Sequence, residues 1–178
     1  MRGAKKINSK VFATLFFSRF GAPQRVEVLA RYKRGLMENV TLAFAHKETC
    51  ENNTCLRDAL WVSGKKVSFP VDLLGDIIDG LQGIQPSPIF DGKYRSDQIV
   101  AELLYSNAGK SKRLEVIADY GQRCVKGVWF YFSSRSRCKE RSCDVGKWAC
   151  DLEVCIAADA LPELVASFIK MEQEATGG

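Results

Sequence analysis

Apolar and polar residues alternate along much of this chain, and helical spacing is confined to two stretches. Val26, Val28, Ala30 and Tyr32 fall on one face of a period-two pattern, with Arg25, Glu27, Arg31 and Lys33 on the other. That is the signature of an antiparallel strand packed on one side and wet on the other. Leu114, Val116, Ala118 and Tyr120 repeat it. Residues 39–47 and 127–135 read as a further strand in each half. In the second of these, Val128, Phe130 and Phe132 alternate with Trp129 and Tyr131 before the chain runs into a basic loop. Residues 60–69 and 148–156 are also extended, and Ser63-Gly64-Lys65 is a point where the first could break into a hairpin. Helical spacing appears at Leu73, Leu74, Ile77, Ile78 and Leu81, and again at Leu161, Leu164, Val165, Phe168 and Ile169. Asp159 is placed to cap the second helix, Pro162 sits in its first turn, and Gly83 should end the first. The tail from Glu174 should fray.

The chain matches itself at an offset of 88 residues without a gap. Residues 11–18 lie on 99–106 and residues 25–32 on 113–120. Gly21 falls on Gly109, Phe44 on Phe132, Cys50 on Cys138, Cys55 on Cys143 and Leu73 on Leu161. Ile77 then matches Val165 and Leu81 matches Ile169. Residues 11–18 form a strand in the first copy's pattern. The second copy's pattern would also accept a helix capped by Ser96. The strand is preferred for both. Each copy is thus ββββα, and the expected class is α+β: two pseudo-symmetric ββββα repeats, antiparallel sheets packed with C-terminal helices. Repeat one covers residues 9–84 and repeat two 97–173. A Pro- and Gly-containing linker at 85–96 joins them, and both are expected to form one compact domain.

A doubled, meandering ββββα unit carrying the strand–turn–strand of residues 25–44 and the strand-into-helix Val67-Ser-Phe-Pro-Val-Asp-Leu-Leu-Gly-Asp-Ile-Ile resembles the Pur-alpha and Whirly group of single-stranded nucleic-acid-binding proteins. Trypanosome mitochondrial guide-RNA-binding proteins share that architecture. The resemblance implies binding of single-stranded DNA or RNA on exposed sheet faces, and assembly into homo- or hetero-oligomers. The Lys-Gly-Lys-Ala-Ala-Leu signature of plant Whirly proteins is absent, so no family binding residue is carried over.

A net charge of +5 permits an anionic partner without demanding one. No apolar run is long enough for a membrane span of about 20 residues, so no membrane partner is expected. The start is basic and has no acid before Glu27, as in a transit peptide, and residues 11–17 could pass for a signal h-region. Both readings give way to the counterpart of this segment at 99–106. Seven cysteines, an odd number, fit a reducing intracellular setting better than a secreted disulfide scaffold. The compartment is not readable.

Aromatic rings beside guanidinium groups suit single-stranded nucleic acid, because bases stack on rings and phosphates meet charge. The candidate binding residues are Trp129 and Tyr131, the loop cations Arg135, Arg137, Lys139 and Arg141, and Arg31, Lys33 and Arg34 from the first copy. The second copy would supply stacking and the first charge. The competing reading buries the two rings in a core or subunit interface. Cys50/Cys55 and Cys138/Cys143 repeat a Cys-x4-Cys spacing, at the edge of what zinc uses. A four-cysteine site would need both loops to meet, and free thiols are the default. No cofactor is expected. His46 is the only histidine, no phosphate-binding loop is present, and Asp72, Asp76 and Asp79 read as the wet face of a helix. A non-enzymatic binding protein is expected, with an assembly module using the same faces as the alternative.

Overall fold

The computed structural model describes residues 8–19, 21–47, 61–90, 92–135 and 148–177. The first copy runs β1 (Asn8–Arg19), β2 (Ala22–Lys33), β3 (Leu36–Lys47), β4 (Trp61–Pro70), a 3-10 turn at Val71–Leu73 and α1 (Leu74–Gln82). A short hairpin, β5 (Ile89–Phe90) with β6 (Lys93–Tyr94), follows. The second copy runs β7 (Asp97–Asn107), β8 (Lys110–Tyr120), β9 (Val125–Arg135), β10 (Trp148–Ala157), a 3-10 turn at Ala158–Ala160 and α2 (Leu161–Thr176). Each set of four strands is an antiparallel meander, in the order β1-β2-β3-β4 and β7-β8-β9-β10. The fold is α+β with two ββββα copies, and residues 11–18 and 99–106 are strands in both.

Irregularities repeat along with the strands. The β1–β2 ladder slips between Val11 and Ala13, and the β7–β8 ladder between Ile99 and Ala101. The β2–β3 ladder slips at Arg31/Tyr32 and β8–β9 at Asp119/Tyr120. Bulges at matched positions twist both sheets in the same places. Arg34 and Gly35, with φ of 54° and 84°, make the β2–β3 turn, and Ala108 and Gly109, at 51° and 73°, make β7–β8. Two successive positive-φ residues are the hairpin turn that matches strand twist.

The ungapped match at 88 holds only through β3 and β9. Trp61–Pro70 corresponds to Trp148–Ala157, and α1 starting at Leu74 corresponds to α2 starting at Leu161, an offset of 87. The second copy is therefore one residue shorter between its third and fourth strands. Ile77 is the counterpart of Leu164 rather than Val165, and Leu81 of Phe168 rather than Ile169. Ser63-Gly64-Lys65 stays within a continuous strand, where the β3–β4 ladder slips between Ala43 and Ala45. Asp159 does not cap α2. It lies inside the 3-10 turn, whose N-cap is Ala157 with no side-chain bond.

The compact units do not follow the repeats. One comprises β1–β4 with residues 162–178, the other residues 76–161. Each sheet is therefore covered by the helix of the other copy. In the first unit Phe168 of α2 meets Phe69 of β4 edge-on, centroids 6.2 Å apart, and both are fully buried. Leu164 and Met171 join Val26, Val28, Val40 and Leu42 in that core. The C-terminal turn of α2 is tied down, since Glu174 accepts bonds from Lys10 Nζ and the Tyr32 hydroxyl. In the second unit Ile77, Ile78 and Leu81 are buried with Leu114, Val116, Val128 and Phe130. Gly80 runs so close to β7 that a Cβ there would stand 2.3 Å from the Val100 carbonyl oxygen. The linker is anchored in this unit, since the Tyr120 hydroxyl donates to the Gln85 carbonyl at 2.9 Å and Tyr94 to that of Gly121 at 3.3 Å.

Candidate nucleic-acid interface

One face of each sheet is covered by a helix, and the other carries the polar half of each alternating strand. On the first sheet that outer face presents Arg25, Glu27, Leu29 and Arg31 from β2, which pair with Ala45, Ala43, Thr41 and Asn39 of β3. Those in turn pair with Ser63, Lys66, Ser68 and Pro70 of β4. On the second sheet the matching rows are Arg113, Glu115, Ile117 and Asp119 against Ser133, Tyr131, Trp129 and Gly127, and then Cys150, Glu153, Cys155 and Ala157.

A cluster recurs at the same end of each face. The Arg25 guanidinium lies over the Trp61 indole at 5.2 Å, and Lys47 at 5.5 Å. Phe16, 62% exposed, brings its ring within 5.9 Å of the same indole. On the second sheet Arg113 lies over Trp148 at 5.1 Å, with Arg135 paired to Trp148 across the ladder and Leu104 in the place of Phe16. Each arginine has a glutamate beside it: Arg25 with Glu27 at 3.6 Å, Arg113 with Glu115 at 3.0 Å and Glu102 at 3.7 Å. The Nε of both arginines is buried without an acceptor among the described residues. Cation–π pairs of this kind contribute about 0.5–2 kcal/mol, more as the pair is taken out of water. A base or phosphate approaching either cluster meets a preset aromatic and a preset charge.

Trp129 and Tyr131 do lie on the outer face, half-buried, and they stack on one another with centroids 5.8 Å apart at 19°. Tyr131 is flanked by Glu115 on one side and Glu153 on the other. Burial pushes its phenol up, and the charges of Glu153, Cys150, Cys155 and Asp119 add to that. Arg135 is exposed at the end of β9. Arg31 stands on the outer face of the first sheet, Lys33 pairs with Glu38 at 3.0 Å, and Arg34 occupies the β2–β3 turn. Arg137, Lys139, Arg141, Cys50, Cys55, Cys138 and Cys143 lie outside the described residues. Cys124 and Cys150 are free thiols, and no cluster of metal-ligating side chains occurs among the described residues. No helix among them is long and apolar enough to cross a membrane.

Sequence reasoning missed Trp61, Trp148, Arg25 and Arg113 as a set. The signal was present: both arginines match at 88, and the two tryptophans match once the offset drops to 87.

Between Arg25 and Arg31 the first sheet has an open depression of about 180 Å³, floored by Thr41, Ala43 and Ala45 and bordered by Glu27, Lys66 and Ser63. Thr41 is fixed there by a 2.7 Å bond to Ser68. No protein-family model and no curated relative matches the chain, so any functional reading rests on this geometry.

Proposed function

We propose that this protein binds single-stranded DNA or RNA on the outer faces of its two sheets, without catalysis. The observation that carries the reading is the Arg-on-Trp pair repeated at one register on both sheets, each beside a second cation, Lys47 or Arg135. Stacking on such rings contributes about 1–3 kcal/mol per base and tolerates any sequence, because every base has a π face. The cations supply a salt-dependent phosphate term. The same class of function is what resemblance to the Pur-alpha and Whirly group implies.

The test is fluorescence anisotropy with labelled oligo-dT and oligo-U over a salt series. Binding at low salt that weakens linearly with log salt is expected, and Trp61→Ala should reduce affinity about tenfold. No binding to either oligonucleotide at low salt would contradict the reading.

A second reading, assembly through the sheets, is favoured by Val11, Phe16, Ile99 and Leu104, apolar side chains 52–68% exposed on strands β1 and β7. Edge strands carrying such residues invite association with further chains. Oligomers by light scattering that disappear in Ile99→Lys without loss of oligonucleotide binding would show that both activities exist side by side.

A further inference from the structure

We infer that the depression on the first sheet is a seat for one unstacked base of the strand, with the flanking phosphates on Arg25, Arg31 and Lys66; this rests on the single-stranded nucleic-acid reading above. The chain itself shows what shape fits. Thr41 and Ala43 hold the positions that Trp129 and Tyr131 hold on the second sheet, by the same pairing to β2 or β8 and to β4 or β10. Where the second sheet carries an indole and a phenol, the first carries a hydroxyl and two methyl groups, and the depression lies there. The space is thus the outline of flat aromatic rings on a pleated surface.

Charge favours an anionic occupant over a neutral aromatic one. Arg25, Arg31 and Lys66 border the space against the single carboxylate of Glu27. At the matching positions the second sheet has Arg113, but also Asp119 and Glu153 in place of Arg31 and Lys66. Two rim cations, Arg25 and Arg31, stand on β2 and the third, Lys66, on β4, so a base seated between them has phosphates within reach on either side. The floor is held by the Thr41–Ser68 bond, so little ordering cost accompanies entry.

The experiment uses the full chain and a short thymidine oligonucleotide, with the methyl groups of Thr41 and Ala43 followed by NMR during titration. Ring-current shifts of both methyls are expected, together with a loss of affinity of about tenfold or more in Ala43→Tyr, which fills the space as Tyr131 does. Should Ala43→Tyr unfold, Lys66→Glu decides. It must weaken binding severalfold at low salt and converge with wild type at high salt. Oligonucleotide binding that leaves both methyls unshifted, or is unaffected by Lys66→Glu, overturns the seat while sparing the sheet-face reading. Absence of binding by the wild-type chain overturns both.

Discussion

The two outer faces share a backbone and differ in what stands on it. On the first sheet, in the described paired rows of β2, β3 and β4, Arg25, Arg31, Lys47 and Lys66 face one carboxylate, Glu27, across small residues. On the second, Arg113 and Arg135 face Glu102, Glu115, Asp119 and Glu153, and two stacked rings fill the middle. Duplication preserved the strand register, the bulges and the Arg–Trp cluster. It did not preserve charge or relief. A polyanion distinguishes these faces, because phosphate contacts scale with local cations. The first face is cationic and open; the second is acid-flanked and already stacked upon itself. The comparison teaches that aromatic content alone does not mark a nucleic-acid surface. The neighbours across the ladder decide whether a ring meets phosphate or carboxylate.

The largest expected effects concern what holds the faces flat. Phe168→Ala should cost about 3–5 kcal/mol of stability, measured by chemical denaturation. It should couple to Phe69→Ala in a double-mutant cycle, because α2 covers the first sheet. An uncoupled pair would break the exchange of helices between copies. Next comes the contrast between Gly80 and its counterpart Ser167. Gly80→Ala should cost about 1–3 kcal/mol despite alanine's better helix propensity, since the new methyl meets a carbonyl on β7. Ser167→Ala loses only a 2.7 Å bond to the Leu164 carbonyl and should stay within about 1 kcal/mol.

Charge exchange sharpens the comparison on the binding side. Lys66→Glu makes the first face resemble the second, and should lower the slope of log affinity against log salt by about 0.7, one phosphate contact on a single strand. Glu153→Lys, the reverse exchange, should raise affinity at low salt. Equal responses of opposite kind would make the faces interchangeable.

The smallest expected effect distinguishes two tyrosines at matching positions. The Tyr32 hydroxyl donates to the Glu174 carboxylate, while that of Tyr120 shares its one proton between neutral oxygens of Gln85 and Gln98. Burial, the bond to Glu174 and its charge push Tyr32 up to about 12 from an ordinary 10.0. A phenol with a raised folded-state pKa stabilises the fold fully below 10 and loses that contribution as pH climbs through 12. Glu174 is held below its usual range by the bonds from Lys10 and Tyr32, so its share is lost as acid protonates it. Thermal melts of Tyr32→Phe should therefore show a shallower decline between pH 10 and 12 than wild type.

Much of this architecture was legible in alternation and self-similarity. Val26, Val28 and Ala30, and their mates Leu114, Val116 and Ala118, are all buried where the period-two pattern put them. Two things were not legible. An ungapped match hid the one-residue difference in length between the copies, which set Trp148 against Leu60 instead of Trp61 and so concealed the repeated Arg–Trp pair. Amphipathic helices also announce that they cover a sheet without saying whose, since apolar spacing is the same for either partner. The same limit applied to Trp129 and Tyr131: their outward direction follows from alternation, but their flanking glutamates come from strands 14 or more residues away in sequence.

The most direct test is a paired one, Trp61→Ala against Trp129→Ala, with affinity for oligo-dT measured at one low salt concentration. The account predicts a loss of about tenfold for the first and less than about threefold for the second. A larger loss for Trp129→Ala would make the acid-flanked face the main contact with the strand and contradict it.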